Sequence, residues 1–325
     1  MDGGGSKTIC AVADESSILA TATAGPSNMV RVGEARARES LHQCVSQACT
    51  TAGIDPTQIS YTCIGAAGAA RPDVVNAVRR ALGEILSSPI DVLGDMQIAL
   101  EGAFTGGPGV VVIAGTGSIA YGRNEQGLTC RVGGHGAVTS DEGSGHWIGK
   151  RAVAAIESGE KARNGNDAKN AAAITPEFVS ALEQAWTVGS VPELIRMARS
   201  EPAPNFASLF PAVLAAANSG DQGARNILQQ AGAELAKLGL EVIRQIFSRH
   251  EADGVAQEGQ MAAENDIVPL AMVGSVFRHA QLVREVFYNQ LREHDSRIEM
   301  KPEVVDPIDG ALRIARKSAN KPVSR

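Results

Sequence analysis

The sequence predicts an α/β fold of two similar halves with a cleft between them. Three observations carry that expectation. Each half opens on a glycine–hydroxyl turn that runs into an apolar strand: Asp2-Gly3-Gly4-Gly5-Ser6-Lys7-Thr8 near the start and Gly115-Thr116-Gly117-Ser118 further on. Behind both turns, strand-like apolar runs alternate with stretches of helical periodicity. Finally, 325 residues with 44% apolar content suffice for two domains with full cores.

Residues 7–23 read as paired strands, and Gly25-Pro26-Ser27-Asn28 is a turn signature. Leu41, Cys44, Val45 and Ala48 repeat at helical spacing within 34–52. A strand is expected over 59–65, ending in the small-residue turn Gly65-Ala66-Ala67-Gly68. Val74, Val78, Leu82 and Ile85 mark the next helix. A short strand over 90–93 leads to Asp95, and 96–104 reads as helix. Thr105-Gly106-Gly107-Pro108-Gly109 reads as a domain junction.

The second half repeats strand, glycine turn, strand, strand. Helices then dominate 144–250, with a polar break near 161–170 and a long amphipathic helix over 227–247. Residues 251–266 are polar and read as a loose loop. A buried strand over 267–273 feeds Gly274-Ser275 and a helix to about 292; 309–317 closes the chain as helix. The expected domains are 1–105 with the closing helix (about 307–325), and 106–306 with helical insertions.

A net charge of −6 without a lysine–arginine stripe argues against nucleic acid as a partner, as does an aromatic content of 4%. No apolar run approaches the ~18–20 residues of a membrane span. No basic-then-apolar leader precedes the first turn. Cys10, Cys44, Cys49, Cys63 and Cys130 are scattered without a C-x-x-C pair, which suggests reduced thiols and a cytoplasmic setting.

Glycine frees backbone amides to wrap phosphate oxygens. Gly5-Ser6-Lys7-Thr8 lacks the earlier glycine of a Walker A loop and leads into a strand rather than a helix, so a phosphate-clasping hairpin fits better. Acidic side chains beside such turns can hold sugar hydroxyls or a hydrated cation. Phosphate binding next to polyol binding points to a sugar kinase.

DGGGSKT (2–8), AGPSN (24–28), GDMQIALEGA (94–103), PGVVVIAGTGSIAYG (108–122), GGHG (133–136), DEGSGHWIG (141–149) and VGSVF (273–277) together resemble the N-acetylglucosamine kinase family. That family lies within the BadF/BadG/BcrA/BcrD-type ATPases of the actin/hexokinase superfamily. The resemblance spans nearly the whole chain. It implies two actin-like (ribonuclease H-like) domains flanking a central cleft, with ATP and Mg²⁺ as cofactors, an amino sugar as substrate and a homodimer as the assembly.

The resemblance also implies roles. Asp2, Gly3, Gly4, Gly5, Ser6 and Lys7 form the first phosphate turn, with Asp2 near the magnesium through water. Gly115, Thr116, Gly117 and Ser118 form the second, and Gly274 and Ser275 lie against the nucleoside. Asn28, Asp95, Thr116, Gly134, His135, Gly136 and Asp141 line the sugar pocket, and Asp95 is the general base. Plainer readings stay open: Asp95 as the cap of 96–104, Asp141 as the cap of the helix at 144, and Asn28 as a turn residue. His135, between glycines, is expected to offer backbone rather than imidazole chemistry.

Members of that family carry a full apolar strand before the Asp-Gly-Gly-Gly turn. Here Met1 directly precedes Asp2, so a genomic start upstream, or a less stable first turn, is expected. The alternative within the family is a reductase- or dehydratase-activating ATPase, which needs cysteines for an iron–sulfur cluster. A third reading, a sugar-sensing repressor, needs a DNA-binding domain that this sequence does not show.

Overall fold

The computed structural model describes residues 1–136, 141–164, 174–247 and 267–320. The expected loop at 251–266, and residues 165–170 of the expected polar break, lie outside these.

In chain order the first elements are β1 (Asp2–Gly3), β2 (Thr8–Ala13), β3 (Ile18–Ala24), α1 (Met29–Val32) and α2 (Glu34–Ala52). Next come β4 (Thr62–Ala66), α3 (Pro72–Gly83), β5 (Ile90–Gly94) and α4 (Asp95–Phe104). They are followed by β6 (Gly109–Ala114), β7 (Ser118–Arg123), β8 (Thr129–Gly133), α5 (Gly145–Asn164), α6 (Pro176–Trp186), α7 (Val191–Ala198), α8 (Phe210–Asn218) and α9 (Gln222–Ile246). The chain ends with β9 (Val268–Val273), α10 (Ser275–His279), α11 (Gln281–His294), β10 (Ile298–Val305) and α12 (Pro307–Ala319).

Two five-stranded sheets result, in the orders β3-β2-β1-β4-β5 and β10-β9-β6-β7-β8. Each sheet has its first strand at the centre, the next two on one side and the last two on the other. The chain therefore repeats one topology. Two compact units follow: Met1–Val111 with Tyr121–Leu128 and Val305–Arg325, and Val112–Ala120 with Thr129–Val304.

In the first unit, β1 pairs antiparallel with β2 and parallel with β4, which pairs parallel with β5. β1 is only two residues long, yet Met1 is buried beside it and its amino group donates to the Cys63 carbonyl at 2.6 Å. Alternation along β4 sorts the core into two layers. Ile64 joins Leu41, Val45, Val78 and Leu82 of α2 and α3, whereas Cys63 joins Ile98 of α4 and Ala311 of α12. Burying a leucine such as Leu41 contributes about 1.5–3 kcal/mol. In the second unit, Val112 of β6 and Leu270 of β9 lie beneath Gly239 of α9, with Leu291 of α11 alongside.

Three boundaries depart from expectation. The strand expected over 59–65 starts at Thr62, because Asp55 caps a 3-10 turn over Pro56–Gln58 and Ile59 closes it. The helix expected over 227–247 starts at Gln222, because Asp221 Oδ1 accepts from the Ala224 amide at 2.7 Å. The expected break after 161 begins later, since α5 runs on to Asn164. β10 was not foreseen. Pro302 and alternating charges blur its pattern, but a proline is tolerated on an edge strand, and β10 is one.

α12 packs directly on α4. A Cβ built on Gly310 would overlap the Ile98 carbonyl oxygen and lie 2.5 Å from the Gly102 amide nitrogen. One turn on, Arg313 donates to the Glu101 and Gly102 carbonyls at 2.9 and 3.1 Å. Backbone, not a flexible side chain, would have to yield. Gly310→Ala is therefore expected to lose about 1–3 kcal/mol, read as a lower melting temperature. A variant that melts with the wild type would show that the two helices are not held at this distance.

Candidate active site

The first turn is built on the β1–β2 hairpin. The Gly4 amide donates to the Lys7 carbonyl at 3.0 Å, closing Gly4-Gly5-Ser6-Lys7. A Cβ at Gly3 would sit 2.9 Å from Ser27 Oγ, so a side chain there would displace the Ser27 hydroxyl. Lys7 and Ser6 are exposed at the tip. Asn28 takes its plain role at least in part: its Oδ1 accepts from the Val30 and Arg31 amides at 3.1 and 3.3 Å and caps α1. Its Nδ2 remains a donor by chemistry.

Asp95 is the first residue of α4, not its cap. The cap is Gly94, whose amide donates to Gln97 Oε1 at 2.8 Å. Asp95 Oδ1 accepts from the Met96 amide at 2.9 Å, and the side chain is half-buried. Asp2 sits on the central strand, in register with Gly65. A Cβ on Gly65 would lie 3.2 Å from the Asp95 Cα, so this glycine lets the acid-bearing helix start approach the strand. Burial, then the Asp95 carboxylate and more weakly Asp306, push the Asp2 carboxyl up to about 6 from its usual 3.8; the terminal amino group and Lys7 pull the other way. The first unit thus gathers three acids. The sequence reading missed Asp306, the cap of α12, although an acid before proline at a helix start is a legible signal.

The second turn joins β6 to β7. Gly115 donates to the Gly117 carbonyl at 2.9 Å. The start of α5 is tied to it: the Gly145 amide donates to the Gly115 carbonyl at 2.8 Å and the His146 amide to the Thr116 carbonyl at 3.1 Å. Ser118 is buried; its amide donates to Asp141 Oδ1 at 3.1 Å and its hydroxyl to the Glu142 carbonyl at 2.8 Å. Ser118 therefore shapes the turn through both its donors. Asp141 is buried and its side chain grips the turn, where a Cβ on Gly117 would meet Asp141 Oδ1 at 2.8 Å; at the start of α5, Ser144 Oγ accepts from the Trp147 amide at 3.1 Å. Its φ of 115° is rare for a residue with a side chain and typical of functional strain.

Gly274 follows β9, the neighbour of β6 in the sheet. With φ 103° and no room for a Cβ against the Ala114 carbonyl, only glycine fits, and this brings Gly274 and exposed Ser275 beside the second turn. Beyond β8, the Gly133 and Gly134 carbonyls accept from Arg131; His135 and Gly136 are exposed.

Within the first unit, the tight turn after Gly3 and the acid at Asp2 suit a phosphate and an accompanying divalent cation; within the second, Gly117 and Gly274 keep the turn free of side chains, which suits a phosphate. No helix among the described residues is long and apolar enough to cross a membrane.

The model of the BadF/BadG/BcrA/BcrD ATPase family matches residues 1–315. The N-acetylmuramic acid/N-acetylglucosamine kinase of Clostridium acetobutylicum is 28% identical, covering 97% of both chains. The N-acetyl-D-glucosamine kinase of Dictyostelium discoideum is 26% identical over 98% of this chain and 97% of its own. A solved structure from Chromobacterium violaceum, assigned as an N-acetylglucosamine kinase, superposes with a TM-score of 0.67 at 24% identity, covering 96% of both chains. The fold is the two-domain, actin-like α/β architecture that the sequence predicts. The chain belongs to the BadF/BadG/BcrA/BcrD ATPase family.

Two expectations follow from the geometry. Because the fold raises the Asp2 carboxyl, the buried charge destabilises the protein increasingly as pH rises from about 4 to about 6, and fully above that. Without metal or nucleotide, Asp2→Asn should gain about 1–2 kcal/mol over wild type at pH 7.5 and nothing near pH 4, by urea unfolding. A difference that is flat with pH would remove the buried-charge account. Asp141→Ala should cost about 1–3 kcal/mol by stranding the Ser118 amide, and Asp141→Asn, which keeps an acceptor, less. Denaturation curves that do not separate Ala from Asn would mean that the carboxylate does not hold the turn.

Proposed function

We propose that this chain is an ATP-dependent sugar kinase that transfers the γ-phosphate of ATP to the 6-hydroxyl of an amino sugar, N-acetylglucosamine or glucosamine. The observation that carries the reading is Asp95, a half-buried carboxylate at a helix start next to Asp2 and the first glycine turn. The full-length likeness to two sugar kinases supports it.

In this reading Asp95 accepts the proton of the 6-hydroxyl as its oxygen bonds to the γ-phosphorus. The bond from that phosphorus to the bridging oxygen breaks, and ADP leaves with the electron pair. The turns 2–7 and 115–118 hold the phosphates, with Ser118 as a shaping residue, and Gly274-Ser275 receives the nucleoside. Asp2 would hold Mg²⁺ through water, and the cation supplies charge neutralisation. Asn28 offers Nδ2, and Thr116, Gly134, His135, Gly136 and Asp141 offer hydroxyl, backbone and carboxylate groups, to the sugar.

The reductase-activating alternative is disfavoured by the thiols. Cys10, Cys44, Cys49 and Cys63 are buried. Burial raises the Cys130 thiol, which donates to Gln245 Oε1 at 2.9 Å. A cluster ligand must be an accessible thiolate. Iron analysis of the purified protein addresses the same point.

The test is ADP release over a sugar panel of N-acetylglucosamine, glucosamine, N-acetylmuramic acid and glucose. An amino sugar should be the best acceptor, and Asp95→Asn should keep sugar binding while lowering turnover about 10²-fold or more. Near-normal turnover in a folded variant would sink the base assignment, and no sugar-dependent ADP release would sink the kinase.

A further inference from the structure

The segment from Gly25 to Arg31 is stapled onto the first glycine turn. The Gly4 carbonyl accepts from the Ser27 and Asn28 amides at 3.2 and 3.3 Å. The buried Thr8 hydroxyl donates to the Gly25 carbonyl at 2.7 Å and pairs with the Ser27 hydroxyl at 2.8 Å. Asn28 then caps α1, and one of the two amides it accepts is that of Arg31. The backbone of Arg31 is thus anchored two bonds away from the turn. Its exposed guanidinium returns to the turn itself, with Nη1 donating to the Gly5 carbonyl at 3.4 Å. One turn of helix, fixed at both ends, holds a cation at the rim of the proposed phosphate clasp.

Charge explains what such a cation is for. This end of the first unit carries Asp2, Asp95 and Asp306, close enough for the latter two to act on the first. A nucleotide's phosphates add several negative charges, and a single divalent cation offsets only two of them. Lys7, in the turn, supplies one further positive charge, and Arg31 supplies another. An arginine's planar fork can bond a carbonyl and a phosphate oxygen together, which a lysine cannot do in the same geometry.

We propose that Arg31 is an anion-binding residue of this site, its guanidinium bridging the Gly5 carbonyl and a phosphate oxygen of the bound nucleotide. The inference rests on reading residues 2–7 as a phosphate turn. It concerns the nucleotide rather than the sugar, because the head group donates to Gly5, within the phosphate turn.

Calorimetry with AMP-PNP and Mg²⁺, and separately with N-acetylglucosamine, tests it. Arg31→Met should weaken AMP-PNP binding about tenfold or more, with melting temperature and sugar affinity unchanged. Arg31→Gln, which keeps a donor for Gly5 but no charge, should lose as much; Arg31→Lys should recover part and keep the salt dependence. Wild-type AMP-PNP affinity in Met and Gln variants overturns the proposal. So does a loss confined to N-acetylmuramic acid, whose carboxylate would then be the anion, or a loss of both ligands in step with a lower melting temperature. A wild type that binds AMP-PNP through Arg31 yet phosphorylates no amino sugar leaves this inference standing and removes the kinase reading instead.

Discussion

An acid on the central strand of a sheet is the constraint around which the first unit is arranged. Asp2 sits between β2 and β4, where burial alone disfavours its charge, and Asp95 and Asp306 make matters worse. A sequence selected only for stability would place an apolar residue there. The neighbours are instead arranged so that acids can come close. Gly65 has no side chain to keep the start of α4 away, and Gly310 lets α12, with Asp306 at its head, lie flat on α4. Such crowding of like charges costs stability, the usual trade at a site arranged for something other than stability.

Most of the scaffold was legible in the sequence because it rests on period and punctuation. The buried positions Leu41, Cys44, Val45 and Ala48 fix α2, and Gly53, in left-handed conformation, stops it. What could not be read has specific causes. β10 lacks a clean alternation because only Ile298 is fully buried along it. The true start of α9 depends on Asp221, whose second oxygen also takes the Thr175 amide, a contact 46 residues away that no local pattern encodes. The return of the closing helix to unit one was expected, but the inclusion of Tyr121–Leu128 is a property of packing.

The site was legible as motifs but not as roles. Asp95 as a helix cap and Asp95 as a reactive carboxylate predict the same residue at the same place; only the Gly94–Gln97 bond shows that the cap is supplied by other groups. Asp141 reads equally as a cap or a ligand, and the structure gives it a third task, holding the Ser118 amide. Arg31 carried no signal at all. A lone arginine four residues after a Gly-Pro-Ser turn means nothing until the fold puts Gly4 and Gly5 beside it.

The repeated topology sharpens the contrast between the two halves. Both sheets begin with a central strand, a glycine turn and an antiparallel-looking return in the sequence, yet the turns carry opposite chemistry. The first is flanked by ionised groups, with Asp2 before it, Lys7 within it and Arg31 stapled to it. The second carries the uncharged Thr116 and Ser118 in the turn itself, and Asp141 beside it is buried and binds a backbone amide. Duplication accounts for the shared path of the chain, because strand order and glycine placement are what the path requires. It does not account for the charges, which the path tolerates but does not need. A charged turn suits the end of a nucleotide where negative charge builds up and a cation sits. A turn made rigid by its own internal bonds suits a part of the ligand that must be positioned rather than neutralised. Divergence between the two turns is therefore a difference in side-chain chemistry laid on one shared path of the chain, and each unit carries its own version.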